Sequence, residues 1–266
     1  MSRMTMVRES LSATFQNRRL WLIQFLLNPA FAALFVIWLQ IPEAQVWQLV
    51  LSVLFAAAIA VGILVLHGGT LNFSFERRTI RSAFKSALRH VIVLAIWAAI
   101  FYLLWRQINH LEDAQDQFAT YLRSEFPAWL RRAISLQALQ GFCALALFIL
   151  RWILLPGLLL PFALQCAARG FRAFTPEPLK IWGRALKNLS YWIVMVGAAI
   201  VGVYLPGKLM EWKLNASTAT LRSEIASLVV RLLVAYVLAL ISWMALCSML
   251  GRAAQSEVAP VGEAVS

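Results

Sequence analysis

Acidic residues are scarce in this chain: 12 Asp and Glu stand against 24 Lys and Arg, and of 266 residues only 14% are charged while 61% are hydrophobic. So thin a polar complement excludes an ordinary soluble domain, whose surface must be covered by charge that this sequence lacks. Cysteine is equally sparse. Cys143, Cys166 and Cys247 are odd in number and far apart, which excludes a disulfide framework and a CxxC metal site and leaves small core residues. The three histidines, His67, His90 and His110, stand in separate connecting regions, none with the second His or Cys a metal motif needs.

No GxSxG, HExxH or GxGxxG occurs, so the sequence offers no cofactor or metal site and is read as non-catalytic. His67-Gly68-Gly69-Thr70 lacks the remainder of a phosphate loop and reads as a flexible exit from a helix. Glu112, Asp113 and Asp116 read as a solvated helix face. Three Asn-x-Ser matches, at Asn72, Asn188 and Asn215, carry little information, and two of them fall on the side expected to be cytoplasmic.

What the sequence has in abundance is long apolar runs. Spanning a hydrocarbon core takes about 20 apolar residues of helix, since every backbone amide in lipid must pair within its own segment. Six runs qualify: residues 20–39, 46–66, 87–105, 143–165, 189–206 and 227–250. The apolar stretch after Arg18-Arg19 continues through Leu39, too long for the core of a signal peptide, and reads as a first span. The expectation is an all-α integral membrane protein with one transmembrane domain over residues 1–250. Residues 251–266, small, polar and aperiodic, read as a disordered tail.

Charge sets the orientation. With both termini cytoplasmic, the inner segments carry 15 basic and 5 acidic residues and the outer ones 7 of each. That asymmetry follows the positive-inside rule and accounts for the net +12 without invoking nucleic acid. Trp21, Trp38, Trp47, Trp105, Trp192 and Trp212 fall near the ends of the runs, as interfacial indoles do. Arg-rich composition and compact connections suggest a bacterial inner membrane.

The inner segments are also periodic. Arg77, Arg81, Lys85 and Arg89 share one helix face while Ile80, Phe84, Ala87 and Leu88 recur on another, and Lys180, Arg184 and Lys187 stand likewise beside Leu179, Trp182 and Leu186. Such helices should lie in the headgroup plane with their basic faces toward anionic lipid. Phe84-Lys85-Ser86-Ala87-Leu88-Arg89-His90 resembles Trp182-Gly183-Arg184-Ala185-Leu186-Lys187-Asn188, and Phe15-Gln16-Asn17 gives a fainter third copy. This points to three hairpins, each preceded by a basic interfacial helix. The outer segment 106–137 carries a helical apolar pattern, Tyr121, Leu122, Phe126, Trp129, Leu130 and Ile134, expected to pack on the outer surface.

Charges inside spans are costly and mark candidate sites. Only Arg151 and Arg231 lie well inside the runs. One reading has both snorkel to an interface; the sharper one has them face each other and clamp an anionic headgroup or substrate. Asn28-Pro29, Pro156-Gly157 and Pro161 interrupt the first and fourth runs and free carbonyls that could hold a ligand or simply kink a packed helix. No Asp or Glu lies in any run, which argues against ordinary cation-coupled transport. The functional expectation is a scaffold, assembly or accessory subunit of a membrane complex, or a lipid-organising protein. Its partners would be anionic lipid on the cytoplasmic face and a membrane protein or second copy. The rival is a permease or lipid-handling transporter for an anionic or amphipathic substrate.

Overall fold

The computed structural model describes residues 17–42, 44–76, 79–212 and 221–255. The chain is an all-α integral membrane protein: among the described residues there is no strand, and six helical segments are long and apolar enough to cross a bilayer. The helices are α1 (Arg18–Trp38), α2 (Val46–Glu76), α3 (Ile80–Arg89), α4 (Val91–Asp113), α5 (Gln115–Glu125) and α6 (Ala128–Ala133). There follow α7 (Leu136–Ile149), α8 (Leu155–Arg169), α9 (Pro176–Lys187), α10 (Leu189–Ala199), α11 (Leu205–Glu211) and α12 (Leu221–Gln255). A π-helical turn at Leu150–Leu154 joins α7 to α8, and a second at Ile200–Tyr204 joins α10 to α11.

Local chemistry sets many of these ends. Asn17 caps α1 by accepting from Leu20 N, Thr79 caps α3 through Ser82 N, and Ser135 caps α7 through Ala138 N. Each π turn is followed by Leu-Pro-Gly, at Leu155-Pro156-Gly157 and at Leu205-Pro206-Gly207. A proline ring clashes with the carbonyl four residues earlier, and widening the preceding turn relieves that clash without ending the helix. The fifth span therefore runs on past Pro206 to Glu211.

Several further boundaries differ from the sequence reading: the fourth span begins at Leu136 rather than at Cys143, and the sixth helix at Leu221 rather than at Ser227. The run expected to end at Leu66 stays helical to Glu76, so His67-Gly68-Gly69-Thr70 is neither a loop nor a helix exit. The third span begins at Val91 because His90 closes α3, and it continues to Asp113. Helix α12 continues past Leu250 to Gln255, with Gly251, Ala253 and Ala254 buried, so the first part of the expected tail is packed helix. Residues 256–266, Arg77, and Phe15 and Gln16 of the third repeat copy lie outside the described residues.

The chain resolves into two compact units, one built from the described residues up to Ala95 and from Pro161 onward, the other from Ile96–Leu160. In the first, the core lies where α1 begins and α2 and α12 end. Leu20, Leu240 and Met244 are buried together, and Trp21, Phe73, Ile80, Phe84, Tyr236 and Trp243 pack around them. Small residues make the approach possible. A Cβ at Gly68 would stand 2.7 Å from Leu94 Cδ1, and one at Gly69 2.8 Å from the Phe84 ring, while Ala83 and Ala87 of α3 are fully covered. A Cβ at Gly251 would strike the backbone carbonyl of Ser74.

In the second unit α5 packs on α7, with Ala119 buried. The expected apolar face of the connecting segment is divided: Leu122, Phe126, Leu130 and Ile134 are half-buried, whereas Tyr121 and Trp129 stand exposed. The Trp97 indole donates to the Leu159 carbonyl at 3.1 Å, and Trp105 meets Trp152 edge to face at 4.6 Å.

Candidate functional site

The polar chemistry of the first unit gathers at the end that carries α3 and the start of α1. Gln24 on α1 is completely buried, and its amide donates to Thr70 Oγ1 and to the Leu66 carbonyl on α2. Thr70 in turn donates to the Leu66 carbonyl at 2.8 Å. Asn28 Nδ2 reaches back to Gln24 Oε1 at 2.8 Å and to the Gln24 carbonyl at 2.9 Å. An amide buried in an apolar bundle needs such partners, and meeting them fixes the register of α1 on α2. The seam extends through Asn72, whose amide donates to the Ala83 carbonyl at 3.4 Å and ties α2 to α3. His67 Nδ1, Asn72 Oδ1, Trp243 Nε1 and both polar atoms of Gln165 are buried without a hydrogen-bond partner.

Helix α3 is pinned on its other side as well. The Ser86 hydroxyl donates to the Ala167 carbonyl of α8 at 3.4 Å, and His90 Nδ1 lies 3.1 Å from the same oxygen. Gly170 turns the chain beside the His90 ring with φ +59, a conformation that glycine adopts without strain. With Ala83 and Ala87 facing inward, the opposite face of α3 presents Arg81, Lys85 and Arg89 to the outside. Helix α9 repeats the arrangement, burying Pro178 and Ala185 and exposing Lys180, Arg184 and Lys187.

Between α1 and α3 runs an open groove of about 800 Å³. Ile23, Leu27, Phe73 and Phe84 form its apolar walls, and Asn17, Arg19, Thr79 and Arg81 lie along it at the helix starts. No acidic residue is among its described lining.

The two intramembrane arginines lie in different units, and each has partners of its own. Arg151 lies in the first π turn, forms an ion pair with Glu112 of α4, and places its guanidinium 4.6 Å from the Trp105 ring centroid and 5.5 Å from that of Trp152. Arg231 donates to the Ser227 carbonyl at 3.3 Å and to the carbonyl of Trp212, the residue that closes α11.

The helix breakers are also accommodated by protein. Pro29 lies inside a continuous α1, and the Phe25 carbonyl that it deprives of a donor has the Tyr236 hydroxyl 2.9 Å away. Pro161 lies inside α8, and Pro156-Gly157 follows directly on the π turn. The sequence reading singled out Asn28 and Pro29 but missed Gln24, Thr70 and Tyr236, which complete that network. The spacing of Gln24 and Asn28, one helical turn apart in an otherwise apolar run, was the available signal. Glu112, read as part of a solvated face, is the partner of Arg151, and the described residues contain no cluster of three or more His, Cys, Asp or Glu placed to hold a metal. Neither a protein-family model nor a curated protein nor a solved structure matches the chain.

Proposed function

We propose that the chain is a non-catalytic membrane protein that works by contact, gathering anionic lipid at one membrane surface and serving there as a scaffold, assembly or accessory subunit. One observation carries this reading: α3, tied through Ser86 and His90 to the end of α8, and α9, which starts a short turn after that end, both bury small residues and present their basic residues outward. Each Lys or Arg held near an anionic surface contributes about 1 kcal/mol of attraction. In this reading the surface faces the cytoplasmic leaflet of a bacterial inner membrane and both termini are cytoplasmic, supported by the excess of Lys and Arg in the segments on that side. Replacing Lys180, Arg184 and Lys187 by Glu tests it. In lipid co-purified from native membranes, phosphatidylglycerol and cardiolipin should fall relative to phosphatidylethanolamine, and an unchanged ratio would sink the proposal.

A second reading, a permease or lipid-handling transporter for an anionic or amphipathic substrate, is favoured by the two π turns, since such turns recur where helices bend around ligands. Solute or lipid flux in proteoliposomes that Pro156→Ala and Pro206→Ala abolish would put this reading first.

A further inference from the structure

We propose that the groove between α1 and α3 is a binding site for one anionic glycerophospholipid, its phosphate held at the Arg19 and Arg81 end and an acyl chain laid along Ile23, Leu27 and Phe84. The proposal rests on the contact reading above and names the partner of that same basic end. The shape is that of an amphiphile: from Arg19 to Leu27 the groove follows α1 for about 12 Å at 1.5 Å per residue, from a cationic rim onto an apolar wall. That length takes the glycerol-proximal half of a common acyl chain. A free inorganic anion would leave the apolar wall unused, and a zwitterionic lipid would bring a second cation to the rim.

The electrostatics of the rim point the same way. Arg19 lies in the first turn of α1 and Arg81 in the first turn of α3, and neither first turn contains an acidic residue. A helix N-terminus carries partial positive charge and is best matched by an anion, so arginine there works against its own helix. Both helices start at the same groove, and a phosphate lodged there offsets the repulsion of both while the two guanidiniums chelate its oxygens. The nearest covalent candidate to fill the groove is the chain preceding Asn17, which carries Arg3 and Arg8 against a single Glu9 and does not complement a cationic rim.

The test titrates the full-length protein in mild detergent with phosphatidylglycerol and with phosphatidylcholine of identical acyl chains, counting bound lipids by native mass spectrometry. The parent should retain one phosphatidylglycerol with a preference of about tenfold or more over phosphatidylcholine. Arg19→Gln/Arg81→Gln should erase that preference. Lys180→Gln/Arg184→Gln/Lys187→Gln, which removes more charge at the same end, should leave it. Thr79→Asp, which keeps a side-chain cap on α3 while adding a carboxylate to the rim, should erase it by a different change and guards against misfolding of the double variant. Equal retention of both lipids by the parent, or equal loss in the α9 variant, would overturn the site. So would displacement of the lipid by millimolar inorganic phosphate, or a preference that emerges only when residues 2–16 are deleted. If the α9 variant alone lowers anionic lipid in native membranes while the groove variants bind as the parent does, the groove is wrong and the contact reading stands.

Discussion

The two ends of the first unit obey different rules. In α12 the stretch before Leu240 has no buried residue among those described, whereas Leu240, Met244, Leu246, Cys247, Met249, Leu250, Ala253 and Ala254 are all buried. Helix α2 repeats the contrast: Val46, Trp47 and Leu49 to Leu51 are exposed, and Leu66 through Asn72 are covered apart from the half-buried His67. Composition does not distinguish the ends, for both are apolar. In a bilayer a leucine gains little by leaving lipid for protein, so apolar content cannot decide which end packs. Close backbone approach and polar pairing decide it. Gly68, Gly69, Gly251 and the Gln24–Thr70 seam all stand at the basic end, while the polar ties of the far end are the Trp38 indole donating to Ser52 Oγ at 2.9 Å and Arg231 donating to the Trp212 carbonyl.

The sharpest way to break this comparison is to add one methyl group at each end. Gly251→Ala drives a Cβ into the Ser74 backbone, which cannot yield as a side chain can, and should cost about 2–3 kcal/mol. Gly207→Ala, on α11 at the far end with no atom within 4 Å of the added Cβ, should be neutral or stabilising by about 0.5 kcal/mol through helix propensity. Thermal unfolding in one detergent reads both. Equal effects would mean that the basic end is not the packed one.

A smaller effect is expected at the polar seam. Gln24→Leu keeps the volume but removes the amide shared by Thr70, Leu66 and Asn28, at an expected cost of about 1–3 kcal/mol because Asn28 then loses a buried partner. Gln24→Leu/Asn28→Leu removes both ends of that contact and should recover part of the loss. A double variant that falls by the sum of its two single changes would show that the side chains act independently and that the seam does not set the register of α1.

How much of this was legible in the sequence follows from what each feature depends on. The six spans were readable because hydropathy is summed over some twenty residues and no single contact matters to it. The basic faces at Arg81, Lys85, Arg89, Lys180, Arg184 and Lys187 were readable because a helical period needs no knowledge of the neighbour. Gly68-Gly69 was misread as a helix exit for the opposite reason. Glycine in a soluble helix is a weakness, whereas here it admits Leu94 and Phe84, residues of other helices. The same holds at the end of α12, where Gly251 and Ala253 read as a tail in the sequence: both are buried, and Gly251 lies so near the Ser74 backbone of α2 that a side chain would not fit. Arg151 was recognised as costly, but its partner Glu112 comes from another span and no spacing rule links them.

The smallest expected effect carries the most information about function. Leu228, Val229, Val230, Leu232, Leu233 and Val234 are exposed, and at 100° per residue they occupy most of the circumference of α12 rather than one stripe. A helix solvated by lipid looks like this, because acyl chains have no preferred face. A surface made for one protein partner would instead concentrate its requirement on a single side, and small residues would mark it. Leu228→Ala and Leu233→Ala point to different sides, so in lipid nanodiscs each should shift stability by less than about 0.5 kcal/mol. If one of the two instead lowers stability by more than about 2 kcal/mol while the other does nothing, one side of α12 is covered by protein. The contact reading would then gain its partner-facing surface at the far end, opposite the lipid-gathering one, and the accessory-subunit role would outrank lipid organisation.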